Sequence, residues 1–385
     1  MSNSIKRRIA FFGVKYYPSK GGSSRIAESL ARELCHKYDI TIYCYKNDLA
    51  TNYLDKINVV NVPRIPLGQL GVFLYYFVCC AHIILLRRFD LVHVHKTDSA
   101  VFIPVLASKS KVIATSQEAP YLRDKWTVLG KKYFRLMEWC FVHSPALLTA
   151  VSKPLSDYYF EKYGKIVHYV PNGVTITNER HDNKAKELLL KNGVAEDDKY
   201  ILFAARRIMS TKGCHTFLEA MRQTRFEGKI LIAGEESHAT SYVEKIRKLS
   251  VDLEVAFLGY IDDKSILMAL VEGAELFVFP SETEGLSLML LEVGSTGLTP
   301  LICSDIPENT QVFNEDEVLY FNNRDANDLA DKIQWASSHM SVMKDKANKA
   351  RLRVVNEYSS SVISAKYDAY YDNLLAETPK GLGSN

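Results

Sequence analysis

The 385-residue sequence predicts an α/β protein of two Rossmann-like, doubly wound domains facing one another across a cleft. Length is the first reason: the chain exceeds the roughly 250–300 residues at which one hydrophobic core stops growing, so two cores are the natural division. Rhythm is the second. Short β-branched runs alternate with helical patterns, as in βαβ units whose parallel sheet is covered on both faces.

In the first half the expected strands are 8–13, 39–45, 57–62, 90–95, 111–115, 146–151 and 167–170. Helical patterns fall at 23–37, 69–88, 99–108, 128–143 and 153–162. The rhythm stops at Pro171-Asn172-Gly173, and a polar stretch without strand signal follows. The expected division is therefore a first domain over 1–173, a linker over 174–198 and a second domain over 199–360. In the second domain, strands are expected at 200–205, 229–234, 254–259, 275–280, 299–304 and 318–321, with helices starting at Gly213, Ser241, Asp263, Leu288 and Ala326. Residues 361–385 should form a helix and tail, with Tyr367, Tyr370, Tyr371 and Leu374 at helical spacing packing back on the first domain.

Composition is ordinary for a folded enzyme, with 47% hydrophobic and 24% charged residues, which disfavours disorder and fibrous classes. The seven cysteines are scattered without a C-x-x-C, which fits reduced thiols and argues against a disulfide framework or zinc site. The basic N-terminus lacks a signal-peptide pattern, so a cytoplasmic location is expected. Charge is uneven: residues 1–175 hold 24 Lys/Arg against 12 Asp/Glu, whereas the remainder is acidic. A basic first half suits an anionic lipid surface or a phosphorylated acceptor, although a plain solvated surface reads the same way. Nucleic acid is not indicated, because no basic run is interleaved with aromatics. The apolar run 70–86 precedes Arg87-Arg88, contains His82 and falls short of the roughly 20 residues of a span. It reads first as a helix on a sheet, with a helix touching the membrane interface and a true span as alternatives.

Ligands of open parallel sheets sit beyond the carboxyl ends of the strands, where strand order reverses. The most informative stretch leaves such an end, running from Pro280 through Glu284, Gly285, Leu286 and Ser287 to Glu292. Amides of 285–288 at a helix N-terminus can hold a diphosphate. Glu292, one to two turns in, can accept from ribose hydroxyls, and Glu284 precedes the helix. The bland alternative makes Glu284 a turn residue and Glu292 a solvated helix face. A second stretch, after the domain's first strand, carries Arg207 and Lys212, a planar fork and a point charge able to flank a leaving diphosphate. Two surface cations would look the same. Both stretches belong to one domain, which makes anion recognition the leading idea. In the first domain, Gly21-Gly22 opens a helix but lacks dinucleotide-fingerprint spacing, and a plain turn fits equally. His95 ends a strand, on the same side as His93, and reads as structural or catalytic. Metal ligation is not expected, since no Asp-x-Asp or H-E-x-x-H occurs.

From about residue 8 to about 340 the chain resembles glycosyltransferase family 4, whose members are retaining enzymes of the GT-B fold. The likeness rests on the Glu284-x7-Glu292 segment with Gly297 and Pro300, on Arg207-x4-Lys212-Gly213, on Gly259-Tyr260-Ile261 and on Pro171-Asn172-Gly173-Val174. Pro18 to Gly22, Arg123 to Trp126 with Gly130 to Lys132, and Val151-Ser152 are similar to a bacterial subgroup that includes rhamnosyltransferases and other polysaccharide-assembly enzymes. The chain departs from the family pattern at Arg206, Ser287 and Thr175, and carries Gln117-Glu118 where relatives often have His or Asp facing the transferred sugar.

The resemblance implies an acceptor-side first domain and a nucleotide-sugar-binding second domain, with no cofactor and no metal beyond the nucleotide diphosphate sugar as co-substrate. Arg207, Lys212 and Glu284 become the implied catalytic set. Gly21, Gly22, Gly234, Tyr260, Ile261, Gly285, Leu286, Ser287 and Glu292 would hold the donor. Tyr16, His95, Gln117, Glu118 and Arg123 would face acceptor or sugar. A hexose or deoxyhexose would pass to a glycan acceptor, expected to be lipid-linked at the inner membrane face. A nucleotide-sugar epimerase of the same fold and a non-catalytic sugar-binding protein are the alternatives.

Overall fold

Strand β1 (Arg8–Phe12) shows why both faces of its sheet are covered: Ile9 and Phe11 enter one core cluster, while Ala10 and Phe12 enter another. The computed structural model describes residues 6–19, 22–46, 56–118, 127–177, 179–237 and 240–376. These form two compact units, one of residues 1–175 with 359–385 and one of residues 176–358.

After β1, the first unit continues through α1 (Gly22–Leu34), β2 (Asp39–Tyr45), β3 (Ile57–Val62), α2 (Gly68–Leu86) and β4 (Leu91–Val94). A 3₁₀ turn (Thr97–Phe102) leads into α3 (Ile103–Ala107), then β5 (Lys111–Ser116), α4 (Val128–Val142), β6 (Leu147–Ala150), α5 (Lys153–Tyr163) and β7 (His168–Tyr169). Local chemistry sets the helix ends: Ser152 caps α5 by accepting from Leu155 N, Pro154 occupies its first turn, and Gly164 closes it at φ 63°. All seven strands are parallel, in the order β3-β2-β1-β4-β5-β6-β7, so the order reverses between β1 and β4.

The second unit contains α6 (Asp182–Lys191), β8 (Tyr200–Arg207), α7 (Cys214–Met221), β9 (Lys229–Glu235), α8 (Thr240–Leu249), β10 (Val255–Gly259) and α9 (Lys264–Gly273). It goes on through β11 (Leu276–Phe279), α10 (Leu288–Thr296), β12 (Leu301–Ser304), α11 (Pro307–Thr310), β13 (Leu319–Phe321), α12 (Ala326–Ser338) and α13 (Met340–Arg353). Its parallel order is β10-β9-β8-β11-β12-β13, reversing between β8 and β11.

Two details differ from the sequence-based expectation. Residues 174–198, expected as a linker, hold α6, which lies against α9: His181 Nδ1 is 2.8 Å from Asp263 Oδ2, and Arg180 pairs with Glu272 at 2.5 Å. Arg206 and Arg207 are not in a loop but end β8. After α13, in the second unit, α14 (Ser360–Ala376) returns to the first. There Tyr367 and Tyr371 are buried in the same cluster as Ile9 and Phe11. The chain's two passages between units lie side by side, since Ser360 N donates to Val174 O at 2.9 Å. Gly173 sits closely at this crossing, where a Cβ would come within 3.1 Å of the Ser360 Cα and press its neighbours apart by a few tenths of an ångström.

Candidate active site

The reversal between β8 and β11 brings two loops of the second unit together. Glu282 N donates to Thr211 O at 2.9 Å. Gly213, at φ 68°, passes so close that a Cβ would sit 1.9 Å from Pro280 O, so both the left-handed backbone and the approach demand glycine. This junction aims Lys212 at the other loop, where its Nζ donates to Glu284 Oε1. Only 8% of the Glu284 side chain and 26% of that of Lys212 is exposed, so the pair is largely desolvated. Glu308, in α11 beyond β12, completes the acidic side: burial, reinforced by the Glu284 charge, pushes its carboxyl above the usual range.

Arg207 ends β8 opposite Glu235, the last residue of β9, with its Nε 3.6 Å from the carboxylate and in no hydrogen bond. A guanidinium held by charge but not clamped by hydrogen bonds can turn to meet a phosphate. Gly234, beside it, has a packing reason to be glycine, as a Cβ would lie 2.4 Å from Ala205 O.

On the α10 side, Ser287 caps the helix by accepting from Leu290 N at 3.4 Å. Leu286 is buried, and Gly285 and Ser287 are half-buried in the turn before it. Glu292, 4% exposed, is not on a solvated face: it pairs with Lys264 Nζ at 2.9 Å. Lys264 opens α9, just after Gly259 at φ 68°, the exposed Tyr260 and the half-buried Ile261. Sequence reasoning missed Lys264, Glu235 and Glu308. Lys264 did leave a signal, since a lysine in the first turn opposes the helix dipole and needs a compensating partner.

The first unit has its own reversal, between β1 and β4, and His95 follows β4 there, donating through its backbone to Phe12 O at 2.9 Å. Its ring is inside: 2% exposed, stacked on His93 at 3.9 Å and against Phe11 at 4.7 Å, with Nε2 unpartnered. Burial pushes its pKa down to about 3, so the imidazole is neutral near pH 7 and cannot serve as an acid there. Gln117, past the end of β5, is half-buried with Nε2 unpartnered, and Glu118 beside it is half-buried. Tyr16 is half-buried in the loop after β1, its N–H donating to Ser24 Oγ at 3.4 Å, and Gly22 begins α1. Gly21 and Arg123 lie outside the described residues. Among the described residues, no group of three or more His, Cys, Asp or Glu is placed to hold a metal ion.

A profile described as Glycosyltransferase Family 4 matches residues 20–178, and one described as Glycosyl transferases group 1 matches residues 185–353. The O-antigen biosynthesis glycosyltransferase WclY of Escherichia coli is 24% identical over 369 residues, taking in 93% of this chain and 96% of its own. Sucrose-phosphate synthase from Thermosynechococcus elongatus superposes with a TM-score of 0.80 at 18% identity, over 97% of this chain and all of its own. Anabaena HepE in complex with UDP-glucose does so at 0.76 and 16% identity, over 95% of this chain and 99% of its own. At such identities the structural likeness is one of fold. The two profiles between them take in both units, and the chain belongs to the family 4 glycosyltransferases, with the two Rossmann-like domains of the GT-B fold.

Proposed function

We propose that this glycosyltransferase moves a hexose or deoxyhexose from a nucleotide diphosphate sugar to a lipid-linked glycan with retention and without a metal ion. The setting would be surface polysaccharide assembly at the cytoplasmic face of the inner membrane. The observation that carries the reading is the convergence of Arg207, Lys212 and Glu284 on one strand reversal. The polysaccharide setting is supported by the name of the WclY relative, and a nucleotide-sugar donor by the UDP-glucose bound to HepE.

In the proposed step the bond from the donor's anomeric carbon to its phosphate oxygen breaks, and the acceptor oxygen bonds to that carbon on the same face. The acceptor's proton passes to the departing phosphate oxygen. Charge grows on that oxygen, where the fixed cations Arg207 and Lys212 and the amides before α10 stabilise it more in the transition state than in the ground state. Glu284 holds sugar hydroxyls, and Glu292 holds the ribose. Gln117 and Glu118, with Tyr16, Arg123 and His95, belong to the acceptor or sugar side of this reading.

The test is a thermal-shift screen of nucleotide sugars in EDTA, followed by NMR of the product's anomeric centre. One donor should stabilise the wild type, and Arg207→Ala and Glu292→Ala should abolish that shift. An absent shift, or one needing a divalent metal, refutes the metal-free site, and an inverted anomer refutes retention.

Lys264 gives a finer prediction. Its ammonium pairs with the buried Glu292 carboxylate and holds it in place, so Lys264→Gln should raise the donor KM about tenfold while kcat moves less than about threefold, and Lys264→Arg should restore most of it. A kcat loss without a KM change would place Lys264 elsewhere in the cycle.

A further inference from the structure

Helix α2 is apolar on both of its faces. The inner face, including Tyr75, Tyr76, Cys79 and Ile83, is buried in the core. The outer stripe is no more polar: Leu70, Phe77, Val78 and Leu85 are 57%, 55%, 43% and 76% exposed, at spacings that keep them on one side of the helix. By length and composition α2 could cross a membrane, but its inner face is anchored. Tyr75 Oη sits between two carbonyl oxygens that share its one proton, Val14 O at 2.5 Å and Tyr43 O at 2.7 Å, and Tyr76 Oη donates to Asp98 at 2.9 Å. A span would strip these bonds and strand polar groups in hydrocarbon.

The apolar surface extends beyond one helix. The 3₁₀ turn and α3 pack against α2, and α4 packs against the turn. They add exposed Val101 and Val105, and from α4 Leu129, Leu136 and Trp139. Exposed apolar side chains gathered on neighbouring elements mark a place where something docks.

Charge identifies the occupant. Arg64, Arg87 and Arg88 flank α2, and Lys132 and Arg135 lie on the outer side of α4, all exposed. Among the described residues of 60–117 and 127–145, the acids are Asp90, which pairs with Arg7, Asp98, which accepts from Tyr76, and Glu138, buried under Lys162; none is exposed. A second copy of this face would press these cations on one another, with no exposed carboxylate among the described residues of 60–117 and 127–145 to answer them. An anionic bilayer answers both features, taking apolar side chains into the acyl boundary and arginines onto its phosphates. Trp139 suits that boundary, with an apolar ring and a polar N–H.

We propose that the outer face of α2, α3 and α4 is a docking surface for an anionic phospholipid bilayer, with α2 lying in the plane of the interface. The surface is independent of the transfer reading and far in sequence from Arg207, Lys212 and Glu292, so the two fail separately.

The full-length protein is floated with phosphatidylcholine vesicles, with and without phosphatidylglycerol. Wild type should rise with the anionic vesicles and lose binding as salt increases. Phe77→Glu with Leu85→Glu should lower partitioning at least about tenfold, and Arg87→Glu with Arg88→Glu should remove the preference for phosphatidylglycerol. Both variants should keep the wild-type circular dichroism spectrum and thermal shift with donor, which excludes misfolding. Equal binding to neutral vesicles, flotation unaltered in both variants, or a lipid-free dimer dissolved by Phe77→Glu would overturn the proposal, the last in favour of self-association.

Discussion

Lys212→Ala should lower kcat about 10²- to 10³-fold, the usual effect of removing one group that stabilises charge developing on a leaving oxygen. It should also destabilise the second unit, by about 2 kcal/mol, since Glu284, with 8% of its side chain exposed, would lose the cation that bonds it. These two losses have different cures. Lys212→Ala with Glu284→Gln removes the orphaned charge and should recover most of the stability, yet leave kcat as low as either single variant. Steady-state kinetics beside urea unfolding separates them. Recovery of activity together with stability would mean that Lys212 serves the fold and not the leaving group.

Acid should weaken the first unit through its buried imidazoles. His93 bonds Tyr371 Oη at 2.7 Å and Thr115 Oγ1 at 2.8 Å, and is held neutral by burial and by the neighbouring His95. Around it stand Tyr367, Tyr371 and Thr115, with no carboxylate in the ring and hydrogen-bond set. A histidine whose folded pKa is depressed binds fewer protons folded than unfolded, so stability is full above pH 6.5 and falls as pH drops towards the folded value. For His95 that value is about 3, so each unit of acidification below pH 6.5 should cost about 1.4 kcal/mol, or about 3 kcal/mol by pH 4. Calorimetry from pH 7 to pH 4 checks this, with His95→Leu expected to show the shallower decline. Parallel curves for variant and wild type would mean that carboxylates elsewhere govern the acid response.

The strands were legible because their signal is local. Runs such as Ile40 to Tyr45 alternate between two apolar faces, and the reading placed β2 and β3 at their observed bounds. In the candidate site, chemistry and spacing together picked out Arg207, Lys212, Glu284 and Glu292, and all four are carried by the same unit. What escaped depends on distant partners. Alternation put His93 and His95 on one side, but which side is sealed depends on α14, more than two hundred residues later. Lys264 meets Glu292 only because α9 and α10 pack together. Helix α6 was missed because it buries only Ala185, leaving little hydrophobic period to read.

The first unit is not contiguous in sequence, and that reverses the order in which the protein can mature on the ribosome. Residues 1–175 emerge first but lack Ile363, Tyr367 and Tyr371, which complete the cluster around Ile9 and Phe11. Residues 176–358 form a unit that is continuous in sequence and are expected to close as soon as they leave the exit tunnel. At roughly 5–20 residues per second, about 10–40 s separate synthesis of β7 from that of α14. Over that interval the part of the first core that α14 covers should stay open to chaperones or to misassembly, and the half of the protein made second should be the first to reach its native state.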